Sequence, residues 1–183
     1  MRALAVALTL CAGMASAQSL EDGLGGAFEL VDHTGSVRTE VDPDGHHQLL
    51  FFGYANCQEI CSAVFPTMAS IVDILDEQGM ALRPVMVTVD PERDTVETMG
   101  DALHVHHPEF VGLTGTEAEL QVAYDAYSVE FEELFVDPFY GTVFSHGSFI
   151  YLLDGEGEVL TLLPPVLGPE MMAEIVGGYL EAS

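Results

Sequence analysis

Two thiols of this chain, Cys57 and Cys61, stand four positions apart, with Gln58, Glu59 and Ile60 between them. In a helical turn, side chains at i and i+4 project from one face. A helix N-terminus also favours the thiolate, because its unpaired N–H groups and its dipole stabilise negative charge. Thiolate is the form that binds a soft metal and the form that attacks a disulfide. Two thiolates suit copper(I), and one added imidazole makes a site that can also hold copper(II). The imidazole has to come from elsewhere in the chain. His146 qualifies, because it lies in a strand that follows the central part of the fold and Gly147 beside it leaves room for close approach. Taken alone, C-x3-C is a signal of moderate specificity, and a lone histidine is more often a surface or satisfied core residue than a ligand. A bridge across so short a loop would stabilise the chain by only about 2 kcal/mol, so a purely structural disulfide explains little.

The elements that must position these groups read as strands alternating with helices. Residues 28–38 (FELVDHTGSVR) have short apolar runs around Thr34-Gly35, as a hairpin does. Residues 48–54 (QLLFFGY) form a continuous apolar run, the pattern of a strand covered on both faces. A helix follows, with Val64, Met68, Ile71 and Leu75 on one face, Pro66 early in it and Gln78-Gly79 as its stop. The cysteines therefore fall at a strand-to-helix junction. A second buried strand at 84–89 leads to Asp90-Pro91, and Asp94 with Glu97 has capping-box spacing for a helix running toward His104. Residues 110–113 suggest a short strand, and Thr116 with Glu119 opens a helix reaching about Tyr127. The apolar run 143–153 carries His146, turns at 154–157 and returns through 159–163 as a hairpin. Gly168-Pro169 opens a last helix. The expected architecture is an α/β sandwich of the thioredoxin type with an N-terminal hairpin and a second hairpin carrying His146.

The first residues read as a separate leader. Arg2 supplies a positive start, residues 3–10 an apolar stretch and Ala15-Ser16-Ala17 a small-residue cleavage site, so 1–17 is expected to be a cleaved signal peptide. The stretch is shorter than the ~20 residues of a spanning helix. Residues 18–183 are expected to form one exported domain, with the periplasm as its compartment. Cys11 leaves with the leader, so Cys57 and Cys61 are the only thiols of the mature chain, in a setting where a disulfide can persist. The chain carries 4 Lys+Arg against 30 Asp+Glu, a formal net charge of −26. There is no lysine at all, which excludes nucleic acids and anionic membrane surfaces as partners. The 49% hydrophobic content excludes a disordered acidic tail.

Three segments carry a resemblance to a known family. They are FGYANCQEIC from Phe52 to Cys61, VTVDPERDT from Val87 to Thr95, and FSHGSFIYLLD from Phe144 to Asp154. In this order they spread over most of the mature chain, and together they resemble the Sco/SenC family of thioredoxin-fold copper proteins. The resemblance implies that Cys57, Cys61 and His146 hold one copper ion per chain. It also implies delivery of copper to the CuA centre of cytochrome c oxidase, on subunit II or another copper-protein client, or thiol reduction that prepares that centre with a thiol–disulfide reductant behind it. Asp90 matches a family acidic position near the site, and its local role is to shape the turn with Pro91. The family often has proline after each cysteine, where this chain has Gln58 and Ser62, and many members keep an N-terminal membrane helix. Those differences loosen the loop and leave room for another client.

Other residues are weaker candidates. His104, His106 and His107 cluster before Pro108, and His46-His47 follow a polar turn; a solvated helix end and a loop account for both. The methionines form no close tract. Two functional classes remain in view besides the chaperone. A thiol–disulfide oxidoreductase would need Cys57 and Cys61 as its redox pair and leave His146 optional. A thiol peroxidase would need an arginine-assisted pocket that no motif here supplies.

Overall fold

The computed structural model of the chain describes residues 23–55, 61–139 and 141–182. The leader expected at 1–17 and Cys57 lie outside these residues.

The apolar run at 48–54 becomes β3 (His47–Gly53), and its burial explains the run. Successive side chains of a strand point to opposite faces. Phe51 meets Phe65 of α1 (Cys61–Asp76), while Phe52 meets Tyr124 of α3 (Glu117–Ala126), so β3 has a helix on each face. It pairs in parallel with β4 (Leu82–Thr88), which pairs in parallel with β5 (Val111–Thr114). The helix between β3 and β4 buries Val64, Met68, Ile71 and Leu75, the face its spacing set out. Alpha-helix α2 (Val96–His104) lies directly on β5: a Cβ at Gly112 would come within 2.7 Å of Leu103 Cδ1 and 3.1 Å of Met99.

The sheet is completed by antiparallel strands at both edges. The N-terminal hairpin is β1 (Leu30–Asp32) with β2 (Val37–Arg38), and β1 joins β5. On the other side β8 (Ile150–Leu153) pairs with β3 and with β9 (Val159–Leu163), giving the order β2-β1-β5-β4-β3-β8-β9. The closing helix α4 (Pro169–Glu181) has Gly168 as its N-cap and proline at its start, as the sequence indicates, and packs on α1 through Gly177 and Leu75. This is the expected thioredoxin-like α/β arrangement.

Two elements differ from expectation. The run 143–153 is not one strand: it breaks at 147–149 into β7 (Gly141–His146) and β8. Strand β7 leaves the main sheet and pairs with β6 (Phe131–Asp137), which the sequence reading did not mark as a strand. His146 is thus carried by the β6–β7 ribbon rather than by the β8–β9 hairpin. A strand pairing requires only backbone groups, so a continuous apolar run does not say which sheet each part joins. The second difference is the start of α2. Its N-cap is Thr95, whose box partner is Thr98. Asp94 is drawn inward and is buried, because donors at the ends of β3 and β4 need its carboxylate.

Candidate metal centre

Parallel strands open a crevice beyond their carboxyl ends. Here Gly53 of β3 lies opposite Thr88 of β4, and the chain that leaves each strand builds the site. Beyond β3, Tyr54 is buried and the Ala55 N–H donates to Asp94 Oδ2 at 3.0 Å. Beyond β4, the Thr88 hydroxyl donates to the same oxygen at 2.7 Å and accepts the Asp90 N–H at 2.8 Å. The Tyr124 hydroxyl in turn donates to the Thr88 carbonyl at 2.6 Å. Asp94 therefore ties the segment that leads to Cys57 to the end of β4. Burial pushes its carboxyl up to about 6, with the charge of Asp90 adding to the shift, while the Thr88 and Ala55 hydrogen bonds and Arg93 oppose it.

His146 ends β7 and lies against the same strand end. Its ring stands edge-on to Phe51, centroids 5.7 Å apart, and to Tyr54 at 5.9 Å. Phe51 also touches Phe65 of α1, so the imidazole is on the face of the sheet that α1 covers. Cys61 is the first residue of α1, and Cys57 stands two residues beyond Ala55 in sequence. Strand end, helix start and imidazole thus converge on one corner of the fold. His146 Nδ1 is 2.8 Å from the Gly147 carbonyl oxygen. A carbonyl only accepts, so in the neutral ring Nδ1 carries the proton and Nε2 carries the lone pair. That is the arrangement of a ligating histidine whose second nitrogen is fixed by a backbone oxygen.

Asp90 is buried and its Oδ2 takes Arg93 through both Nε and Nη2, each at 2.5 Å. Arg93 Nη2 then donates to the Thr142 carbonyl at 2.7 Å, which is on β7. Asp90 also accepts the Arg93 and Asp94 N–H groups at its own carbonyl, so it shapes the turn as well. Its side chain reaches the His146 strand through Arg93. Gly141, at φ +79°, starts that strand where the guanidinium leaves no room for a Cβ. Arg93→Ala is expected to raise amide exchange at residues 142–146 by on the order of tenfold, since a hydrogen bond from a charged donor stabilises by roughly 1.5–3 kcal/mol. Exchange confined to the ribbon supports the brace, and unchanged exchange there contradicts it.

The remaining histidines diverge. His104 Nε2 lies 3.3 Å from the Phe110 carbonyl and its ring meets His33; His106 packs on Phe65, where burial lowers its pKa; His107 faces Asp73 at 3.4 Å. They share no common point for an ion. Among the described residues one other group has metal-ligating atoms close together, Asp42, Asp44 and His46. Asp42 is already engaged by the backbone N–H groups of Asp44 and His46 and by the Arg38 guanidinium, so this group locks a loop. The sequence reading missed Asp94, Thr88, Tyr54 and Phe51 as parts of the site. Asp94 lies within the VTVDPERDT segment, but nothing in its spacing shows that it turns inward.

Comparison with known proteins places these features in a lineage. The family model described as SCO1/SenC matches residues 16–181. A SCO2-like protein of Rickettsia felis is 33% identical over 158 residues, covering 85% of this chain and 76% of that protein. Protein SenC of Rhodobacter capsulatus is 33% identical over 171 residues, covering 93% and 74%. Yeast Sco1, solved with copper bound, matches with a TM-score of 0.79 at 29% identity over 88% of this chain and 90% of that one.

Proposed function

We propose, from the premise that this chain belongs to the SCO1/SenC family, that it is an exported copper metallochaperone of the periplasm. Its cargo is one copper ion, held by the thiolates of Cys57 and Cys61 and by His146 Nε2. Its client is the CuA centre of cytochrome c oxidase, carried on subunit II, and a thiol–disulfide reductant keeps the cysteine pair in the dithiol form. The leader at 1–17 directs export.

The observation that carries this reading is the setting of His146. A redox pair acting on disulfides has no need of an imidazole fixed beside it. Here the ring is wedged against Phe51 and Tyr54, its tautomer is set by Gly147, and its strand is braced through Arg93 to Asp90. That much positioning fits a ligand. The donor set also fits the cargo: two soft thiolates favour copper(I), and the borderline imidazole extends the site to copper(II). The acidic surface cannot make this selection, because carboxylates prefer calcium or magnesium. Release follows by ligand exchange, the client's own donors displacing the three protein donors in turn.

Metal competition on the reduced full chain tests the reading. One copper per chain is expected, and Cys57→Ser with Cys61→Ser together should abolish competition with a copper(I) chelator. Retention of copper(I) affinity in that double variant would exclude the thiolate site. A wild-type chain that binds no copper yet reduces client disulfides would make it an oxidoreductase instead.

A further inference from the structure

The β6–β7 ribbon holds a surface that the copper site does not use. Leu134 and Phe135 are 55% exposed, Val136 63% and Phe139 90%. Single exposed apolar residues are ordinary, but several gathered on one ribbon mark a contact surface. The set is flanked by exposed acids: Glu132 and Glu133 stand immediately before it in β6. A bulge between Glu133 and Phe135 leaves Leu134 outside the pairing, and both faces of β6 are exposed.

The ribbon is also held still. An isolated two-stranded ribbon is marginal in water. This one is fixed at its base, where Phe131 meets Tyr124 at 5.0 Å and Phe144 meets Tyr54 at 5.5 Å, and farther out by Arg93 on the Thr142 carbonyl. A rigid apolar surface forfeits little side-chain and loop freedom on binding. The same ribbon reaches the metal centre at its base, where Phe131, Glu132, Ser145 and His146 line one cavity.

We infer that the outer part of the β6–β7 ribbon, centred on Phe135 and Phe139, docks a copper-accepting protein whose contact face is apolar and rimmed by lysine or arginine. The inference deepens the chaperone reading and rests on it for the word "accepting". Charge decides the occupant. Glu132 and Glu133 on a chain of net charge −26 call for a cationic rim. A second copy cannot supply one: the sequence has no lysine, and the described arginines, Arg38, Arg83 and Arg93, are each already ion-paired to carboxylates of their own chain.

The test uses the full chain and fluorescent amphipathic peptides of alternating leucine and lysine, leucine and glutamate, and serine and lysine, with binding read by anisotropy at two salt concentrations. The leucine–lysine peptide should bind, more weakly at high salt, and the other two should bind at least about tenfold more weakly. Phe135→Ser with Phe139→Ser should weaken it about tenfold, and Glu132→Gln with Glu133→Gln severalfold, while Val37→Ser with Val122→Ser, at exposed apolar sites elsewhere, should change nothing. Equal binding of the serine–lysine peptide, or equal loss in the Val37 and Val122 variant, would overturn the inference. So would concentration-dependent dimerisation abolished by the Phe135 and Phe139 changes. Copper affinity of the Phe135 and Phe139 variant, read separately by chelator competition, should match wild type. If the wild type binds the peptide on the ribbon but binds no copper, the docking surface stands and the chaperone reading falls.

Discussion

His146→Ala is expected to weaken copper(II) binding by on the order of 100-fold or more, while copper(I) binding falls less and any disulfide-reductase rate stays nearly intact. Removing a residue that merely orients a ligand already costs 10–100-fold in metal affinity, so removing the ligand itself costs at least as much. The asymmetry between oxidation states follows from donor softness. Two thiolates still satisfy copper(I), whereas copper(II) loses its nitrogen donor. Fold stability should change little beyond the lost edge contacts with Phe51 and Tyr54, because His146 is half-buried at the end of a ribbon. Chelator competition in both oxidation states, with a reductase assay on the same samples, checks all three parts. Unchanged copper(II) affinity in the variant would remove His146 from the ligand set.

The second large effect concerns stability and pH. The Asp94 carboxyl, raised by burial to about 6 in the folded chain, starts from 3.8 when exposed. Between these values the folded state binds more protons than the unfolded state. Its contribution to stability is therefore greatest at low pH and is lost as pH rises through the window from about 4 to 6. The full swing is about 3 kcal/mol, from roughly 1.4 kcal/mol per unit. Asp94→Asn keeps an oxygen for the Ala55 and Thr88 donors and removes the titration. The stability of the variant relative to wild type should thus rise by about 2.5 kcal/mol between pH 4 and pH 7. Urea unfolding of both proteins at several pH values reads the difference, and parallel curves would show that Asp94 does not titrate in that window. Asp32 does not confuse the comparison. Burial alone would raise its carboxyl, but hydrogen bonds from Thr34 and Ser36 outweigh that and hold it low, so its contribution is lost only as pH falls below the ordinary carboxylate range.

Much of this architecture could be read before the coordinates. Val64, Met68, Ile71 and Leu75 are all buried because period 3.6 leaves one face for the core. The Thr116–Glu119 box is present as both of its hydrogen bonds, since its partners are local and the spacing alone sets them. Asp94 shows where local reasoning ends. Its spacing to Glu97 satisfies the capping pattern, but the Ala55 N–H and the Thr88 hydroxyl, distant or buried, compete for the carboxylate and win. The β6 strand was illegible for another reason. Its residues FEELFVD are nearly all exposed, so neither an inward face nor a clean alternation distinguishes it from a loop. His146 itself was legible by type and by its neighbours, and the strand that carries it was not.

The placement of the imidazole also makes the cargo a clock. Cys61 starts the first helix, whereas His146 ends a strand that follows three helices and six strands among the described residues. In the ligand set proposed above, the sulfur donors sit early in the chain and the nitrogen donor joins them once the ribbon packs over Phe51 and Tyr54. Contacts so distant along a chain form late, because the intervening segment must lose its freedom before they reward it. With the ligand set proposed above, copper(II) uptake in a refolding experiment reports the docking of the β6–β7 ribbon, whereas copper(I) uptake needs only the cysteine pair.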